Sequence, residues 1–197
     1  MAEAARPRRQ RLSLPASRFI GREGELAGIA ELLRRGDRLV TVWGPAGMGK
    51  TRLALELASR WAEAQPGEAV WLCELTACRD LRAVCGAVAR AIGAQVTAGR
   101  REATLVERIG RALAAEGRAL LVLDNLEQLL PDAAEIVLRL DARILATSRS
   151  RLNVATEQEF PVPTLPFDDA AALFTQRARQ LEPYFEPNAA VHQIAER

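Results

Sequence analysis

Apolar residues along the chain fall into short continuous runs and into runs spaced at the period of an α-helix. The continuous runs cover residues 39–43, 69–75, 119–124 and 143–147, with a shorter one at 159–162. The runs with helical spacing cover residues 23–35, 51–62, 81–92, 105–112 and 126–140, and the last of them is interrupted near Pro131. Continuous apolar runs are typical of strands buried on both faces, and helices between them predict a parallel sheet. The pattern therefore predicts an α/β fold, with a parallel β-sheet sandwiched by helices.

Beyond Pro161 the pattern becomes helical only. Asp168 or Asp169 is expected to cap a first helix, and a second helical pattern, with Val191 and His192, continues to the last residue. Two helices bury little apolar surface by themselves. We therefore expect residues 164–197 to be the first, incomplete part of a small helical domain.

Charge is distributed unevenly along the chain. Residues 1–18 contain five arginines and one acid, so this segment carries a formal charge of +4 and the remainder −2, within a total of +2. The segment has no apolar periodicity, which predicts a flexible basic arm. A globally basic surface for nucleic acid is excluded, although the arm itself could contact phosphates.

Other classes of protein are disfavoured by composition. Cys73, Cys78 and Cys85 are an odd number on a short stretch, and the single histidine is distant, so neither a disulfide framework nor a zinc site is expected. We expect the cysteines to be buried. No apolar run is long enough to span a membrane and no secretory leader is recognisable, so we expect a cytoplasmic protein with no membrane partner.

The sequence GPAGMGKT, residues 44–51, lies between the first predicted strand and a predicted helix. It matches the phosphate-binding loop pattern G-x-x-x-x-G-K-[ST], in which glycines let backbone amides converge on phosphate oxygens. The only lysine of the chain, Lys50, would reach the β and γ phosphates, and the Thr51 hydroxyl would bind Mg²⁺. The residues expected to contact the nucleotide here are Gly44, Ala46, Gly47, Met48, Gly49, Lys50, Thr51 and Arg52. Residues 19–163 are thus predicted to form a P-loop NTPase domain.

A second acidic position completes the predicted site. Asp124 ends the buried strand 119–124, where it could hold Mg²⁺ together with Thr51. The base-reading motif of GTPases requires a second lysine, which the chain lacks. We therefore expect ATP and ADP rather than guanine nucleotides.

Taken together, these segments resemble the signalling ATPases of the STAND class, in the NB-ARC branch, and particularly the ATPase modules of bacterial transcriptional regulators. The matching segments are RFIGREGEL (18–26), GPAGMGKTRLALELA (44–58), LLVLDNLEQLL (120–130), ILATSRS (144–150) and FPVPTLPFDDAAALF (160–174). The resemblance implies that Phe19, Ile20 and Arg22 pack against the adenine, and that Arg149 senses the γ-phosphate. The alternatives are a hydrophobic staple at the start of the first helix for Phe19 and Ile20, and an ordinary surface charge for Arg149.

One departure from the resemblance bears on catalysis. Many relatives follow the magnesium-binding aspartate with a second acid, and this chain has Asn125. An amide can position a water molecule but cannot accept its proton, so we expect hydrolysis of ATP to ADP and phosphate to be slow unless Glu127 substitutes. Glu127 is otherwise expected to open a helix.

The leading functional hypothesis is a switch in which the bound nucleotide selects between domain arrangements and hydrolysis resets it. Self-association on ATP binding would suit such a switch, and DNA would be reached only indirectly. A second hypothesis is an AAA+-like DNA-associated ATPase, because the GRE-x-EL start and the GKT loop also occur in initiator proteins. A small-molecule phosphotransferase is the third, and nothing in the sequence indicates an acceptor pocket or lid for it.

Overall fold

The computed structural model describes residues 17–94, 102–129, 139–140, 142–187 and 191. Most of the predicted basic arm, the interrupted part of the predicted helix near Pro131, and most of the last helical pattern with His192 lie outside the described residues.

The described chain alternates helices with parallel strands. The helices are α1 (Glu23–Arg34), α2 (Lys50–Ala64), α3 (Leu81–Ala91), α4 (Glu102–Ala115) and α5 (Phe167–Leu181), with a short 3₁₀ helix at Leu126–Leu129. The strands are β1 (Leu39–Trp43), β2 (Ala69–Glu74), β3 (Ala119–Asp124), β4 (Arg143–Ser148) and β5 (Glu157–Pro161). They form one sheet in the order β2-β3-β4-β1-β5, and every described pair is parallel. The predicted α/β fold is confirmed.

Two apolar layers cover the sheet, one on each face. Alternate residues of β3 separate between them: Leu120 and Val122 join the layer formed with α1 and α2, whereas Leu121 and Leu123 join the layer formed with α3 and α4. All six residues of β3 are buried. Burial on both faces is the physical reason why the central strands have continuous apolar sequences.

The edge strand β5 differs from its prediction. It begins at Glu157 and ends at Pro161, whereas the apolar pattern predicted residues 159–162. Among the described strands β5 pairs only with β1, and none of its side chains is fully buried. Polar residues such as Gln158 are therefore tolerated at its start, and the apolar pattern could not mark that boundary.

The start of α5 also corrects an expectation. Neither Asp168 nor Asp169 caps the helix, because the N-cap is an extended Pro166, two and three residues before these acids. Both acids instead lie in the first turn, where they complement the positive end of the helix dipole. No residue of α5 is fully buried.

All three cysteines are buried, as expected from the sequence. Among the described helices none is both long and apolar enough to cross a membrane.

The strand order decides where functional residues meet. β4 lies between β1 and β3, so the carboxyl ends of these three strands lie side by side at one edge of the sheet. The loop 44–51 follows β1, Asp124 ends β3, and Thr147 and Ser148 end β4. This edge is the expected ligand-binding location in an open parallel sheet.

Candidate nucleotide-binding site

The loop between β1 and α2 has the backbone conformation of an anion-binding turn. Gly47 and Gly49 have φ angles of 81° and 79°, in the left-handed region that favours glycine. Gly49 is the N-cap of α2, so the positive end of that helix lies directly behind the loop. The amide of Gly44 donates to the carbonyl oxygen of Ser148 at 3.3 Å, which attaches the loop to β4. Pro45 to Gly47 are exposed, so a ligand can reach this turn.

Lys50 is held inside this loop rather than extended into solvent. Its Nζ donates to the carbonyl oxygens of Gly44 at 2.8 Å and Pro45 at 2.7 Å, and only 9% of the residue is exposed. Burial lowers the pKa of Lys50, and the positive charge of Arg149 adds to that effect, while Glu127 and Asp124 oppose it. The ammonium group is thus incompletely compensated by charge, and a phosphate anion would supply what is missing.

The hydroxyl and carboxylate predicted to share Mg²⁺ are adjacent. Thr51 Oγ1 donates to Asp124 Oδ1 at 2.8 Å, and Thr147 Oγ1 donates to the same oxygen at 2.5 Å. Neighbouring oxygens in an octahedral Mg²⁺ shell are about 2.9 Å apart, since the metal–oxygen distance is about 2.0–2.1 Å. The Thr51 and Asp124 oxygens therefore fit one ion. Among the described residues no cluster of three or more acids, cysteines or histidines could hold a metal ion.

Asn125 occupies the position after Asp124 but is turned elsewhere. Its backbone has a φ of 65°, and its amide N–H donates to Thr147 Oγ1 at 3.0 Å. Its side-chain Nδ2 donates to Thr76 Oγ1 at 2.8 Å, beyond the end of β2. The side chain thus joins the two neighbouring strand ends, and its role toward a nucleotide stays a prediction.

Arg149 and Glu127 form an ion pair at the same edge of the sheet. Arg149 Nε lies 3.0 Å from Glu127 Oε1, and the arginine side chain is 65% exposed, against 12% for the glutamate. The sequence treated these residues separately, and the structure brings them together. Whether Arg149 senses a phosphate stays a prediction.

A cavity of about 330 Å³ adjoins the loop on the side of the N-terminal segment. Phe19, Ile20, Arg22, Met48 and Arg52, all predicted to contact the nucleotide, line it. The Phe19 ring lies below the guanidinium groups of Arg52 and Arg60, at 5.5 and 5.9 Å. The volume lies within the range of about 300–1,000 Å³ typical of small-molecule sites.

On the side of the linker and α5, four cavity-lining residues were missed by the sequence analysis: Thr164, Leu165, Leu173 and Arg177. They belong to the linker and to α5, and their helical periodicity alone gave no signal that they face this cavity. The cavity thus lies between the loop and the helical segment.

Arg22 has a structural role that the sequence did not predict. It is 8% exposed, and its Nη2 donates to the carbonyl oxygens of Met48 at 3.1 Å and Pro163 at 2.9 Å. Its Nη1 pairs with Glu25 at 3.0 Å. One side chain thus ties the start of α1 to the phosphate loop and to the linker before α5.

Known proteins are similar to this chain in sequence and in fold. The chain is 40% identical over 179 residues to an uncharacterized protein of Mycobacterium tuberculosis. The aligned region covers 87% of this chain and 44% of that protein. It is 37% identical over 158 residues to a protein of the same organism named "Putative HTH-type transcriptional regulator". That alignment covers 76% of this chain and 17% of the relative. The chain thus spans less than half the length of these relatives.

Solved structures show the same fold at low sequence identity. The ORC2 protein of Aeropyrum pernix superposes with a TM-score of 0.71 at 18% identity, covering 95% of this chain and 59% of that one. A Signal Transduction ATPase with Numerous Domains (STAND) protein with a tetratricopeptide repeat sensor, from Pyrococcus horikoshii, gives 0.53 at 19% identity, covering 95% and 30%. These likenesses establish the P-loop NTPase fold.

A family model described as an AAA domain matches residues 33–165, which include the whole sheet, the phosphate loop and Asp124. The chain therefore belongs to the AAA domain family.

Proposed function

We propose that this chain is the adenine-nucleotide-binding module of a regulatory switch, with slow magnesium-dependent hydrolysis of ATP. The observation that carries the proposal is the arrangement around the loop: a buried lysine, a glycine turn, and a hydroxyl 2.8 Å from a carboxylate. These groups lie at the edge of the sheet where nucleotides bind in such folds. The narrower NB-ARC and STAND assignment is part of the proposal.

In this proposal the chain's own groups bind the phosphates. Backbone amides of the loop and the N-terminus of α2 would bind the phosphate oxygens, and Lys50 would exchange its carbonyl contacts for the β and γ phosphates. Thr51 and Asp124 would hold Mg²⁺, which neutralises charge on the phosphates when bound. The cavity beside Phe19 and Ile20 would take the adenine.

The switch part of the proposal rests on what the cavity connects. Its walls come from the phosphate loop on one side and from Leu165, Leu173 and Arg177 on the other. A nucleotide bound in the cavity would contact the helical segment. The orientation of that segment would therefore depend on whether ADP or ATP is bound. Residues 164–197 would then transmit the nucleotide state, and self-association would follow ATP binding.

A role in transcription is supported by the relative of Mycobacterium tuberculosis that is named a transcriptional regulator. We propose that DNA is reached through other parts of a longer protein. The competing proposal, a DNA-associated ATPase, is supported by the charge of residues 1–18. Salt-dependent DNA binding that disappears on deletion of these residues would favour it, whereas nucleotide binding indifferent to DNA would favour the switch.

The direct test is thermal unfolding with Mg-ADP and Mg-ATP. A ligand at a hundred times its Kd stabilises the folded state by about 2.7 kcal/mol, which raises the melting temperature of a chain this size by roughly 5–10 °C. Lys50→Ala should abolish the shift, whereas Arg34→Ala, an exposed change on α1, should keep it. An unchanged melting temperature, here and in a longer protein containing this chain, would refute the proposal.

A further inference from the structure

We infer that Glu127 is the group that takes the proton from the attacking water, and that it uses Oε2 to do so. This inference rests on the proposed ATP hydrolysis and assigns its missing catalytic base. Asp124 accepts hydrogen bonds from the hydroxyls of Thr51 and Thr147. Glu127 is the next carboxylate along the chain.

The two oxygens of Glu127 have different surroundings. Oε1 forms an ion pair with Arg149, whose Nε lies 3.0 Å away. Oε2 is enclosed and has no hydrogen-bond partner among the described residues. An enclosed carboxylate oxygen without a donor is uncommon in native proteins, and a catalytic role or a bound water molecule accounts for such groups. The free oxygen is therefore suited to accept a hydrogen bond from water.

The backbone fixes this arrangement from both sides. Glu127 lies in the 3₁₀ helix that directly follows β3, between Leu126 and Leu129, which are 1% and 4% exposed. These leucines are part of the apolar layer on the α3 and α4 side of the sheet. The two leucines thus anchor the short helix. The Glu127 side chain is only 12% exposed, so it is held away from solvent.

The Glu127 carboxylate acts electrostatically on Lys50. Its negative charge opposes the lowering of the Lys50 pKa more strongly than that of Asp124 does. Glu127 follows β3 and its partner Arg149 follows β4, so this carboxylate lies at the same edge of the sheet as the loop that follows β1.

Asn125 is unsuited to the same task. Its amide has no basic site for a proton, and its Nδ2 is already bonded to Thr76. The position directly after Asp124 therefore has a structural role here, and the base lies two residues further along the chain.

The chemical step is a hydrolysis that balances without another reactant. The oxygen of a water molecule forms a bond to the γ-phosphorus of ATP while its proton passes to Glu127 Oε2. The bond from that phosphorus to the β–γ bridging oxygen breaks, and the electron pair leaves on ADP. The proton then returns from Glu127 to solvent. Arg149 acts as a positioning residue, because it holds Oε1 and so directs Oε2.

Single-turnover hydrolysis of radiolabelled Mg-ATP, combined with equilibrium binding of ADP, tests the inference. Glu127→Gln has nearly the same shape and keeps an oxygen for Arg149, but it cannot accept the proton. We expect its rate constant to fall by about 100-fold or more, as for loss of a general base, while the Kd for ADP stays within about threefold of the parent value. Glu31→Gln, at a glutamate that is 69% exposed on α1, is the matched control and should retain the parent rate.

Two further variants distinguish catalysis from structure. Glu127→Asp keeps a carboxylate and should retain more activity than Glu127→Gln, whatever either change does to the melting temperature. Arg149→Ala should lower the rate by less than Glu127→Gln, because the carboxylate remains.

The outcomes separate this inference from the proposed function. A Glu127→Gln rate within threefold of the parent rate would overturn the inference and leave ATP hydrolysis standing. Nucleotide binding by the parent protein without any phosphate release above the buffer background would also overturn it, and leave nucleotide binding standing. Absence of nucleotide binding would refute the proposed function itself, and this inference with it.

Discussion

Arg22 connects three segments of the chain, so its truncation should be felt both in stability and at the nucleotide site. The guanidinium group is buried and donates to the carbonyl oxygens of Met48 and Pro163, 26 and 141 residues away in the sequence. A hydrogen bond from a charged group contributes about 1.5–3 kcal/mol when buried. The contact with Glu25 adds less, since that carboxylate is partly exposed.

The expected cost of Arg22→Ala is therefore about 3 kcal/mol for the two carbonyl contacts, with water repairing part of the loss. In a chain of this size that lowers the melting temperature by about 6–12 °C. Arg22 has a φ of 63°, and alanine bears the same left-handed backbone cost, so the substitution isolates the side-chain contacts.

Thermal unfolding followed by circular dichroism measures this effect, with Arg34→Ala as the control. Arg34 forms an exposed pair with Glu31, and its loss should cost less than about 1 kcal/mol. ADP binding should also weaken in Arg22→Ala, since Met48 belongs to the loop. If Arg22→Ala melts within 2 °C of Arg34→Ala, the reasoning about the buried contacts is wrong.

Three other expectations follow from local structure. Glu68→Ala should lower the urea midpoint by an amount equal to about 2–3 kcal/mol, because it leaves the partly buried Arg143 without its two contacts at 3.0 and 2.8 Å; an unchanged midpoint would contradict this. Burial raises the pKa of the Cys73 thiol to about 12 from its ordinary value of 9.0, so the unfolded state loses the proton first and stability should fall as pH rises from about 9 to 12, by up to about 1.4 kcal/mol per pH unit. Urea unfolding at several pH values should show a flatter decline for Cys73→Ala, and equal slopes would refute the assignment. Gly49→Ala should lower the melting temperature by a few degrees and weaken ADP binding, because φ is 79° there; Gly67→Ala, where a Cβ meets no other atom, should do neither.

The sheet and the phosphate loop were readable from the sequence for clear physical reasons. Strands buried on both faces, such as β3, must be apolar at every position, and a loop that wraps phosphate needs glycine where φ is positive. Asp124 was predicted because it is the acid at the carboxyl end of a buried strand, and the carboxyl ends of parallel strands lie beside the phosphate loop. These are local requirements, and local sequence expresses them.

Other features depend on contacts between distant parts of the chain, and the sequence did not express them. Arg22 was predicted to face the adenine, and its bonds to Met48 and Pro163 follow from how α1 lies against the loop and linker. The pairing of Arg149 with Glu127 requires β3 and β4 to be neighbours. The polar start of β5 carries no signal, because an edge strand needs no apolar residue there.

The two carbonyl contacts of Lys50 have a practical consequence, since this is the only ε-amino group in the chain. An amine-directed acylating reagent, or a protease that cleaves after lysine, has a single side-chain target, and that target lies in the phosphate loop. Modification at this one atom, measured by mass spectrometry of a single peptide, would report directly on loop occupancy without any engineered label. Because every other basic side chain except His192 is an arginine, lysine-specific modification of this protein reports on the phosphate loop alone.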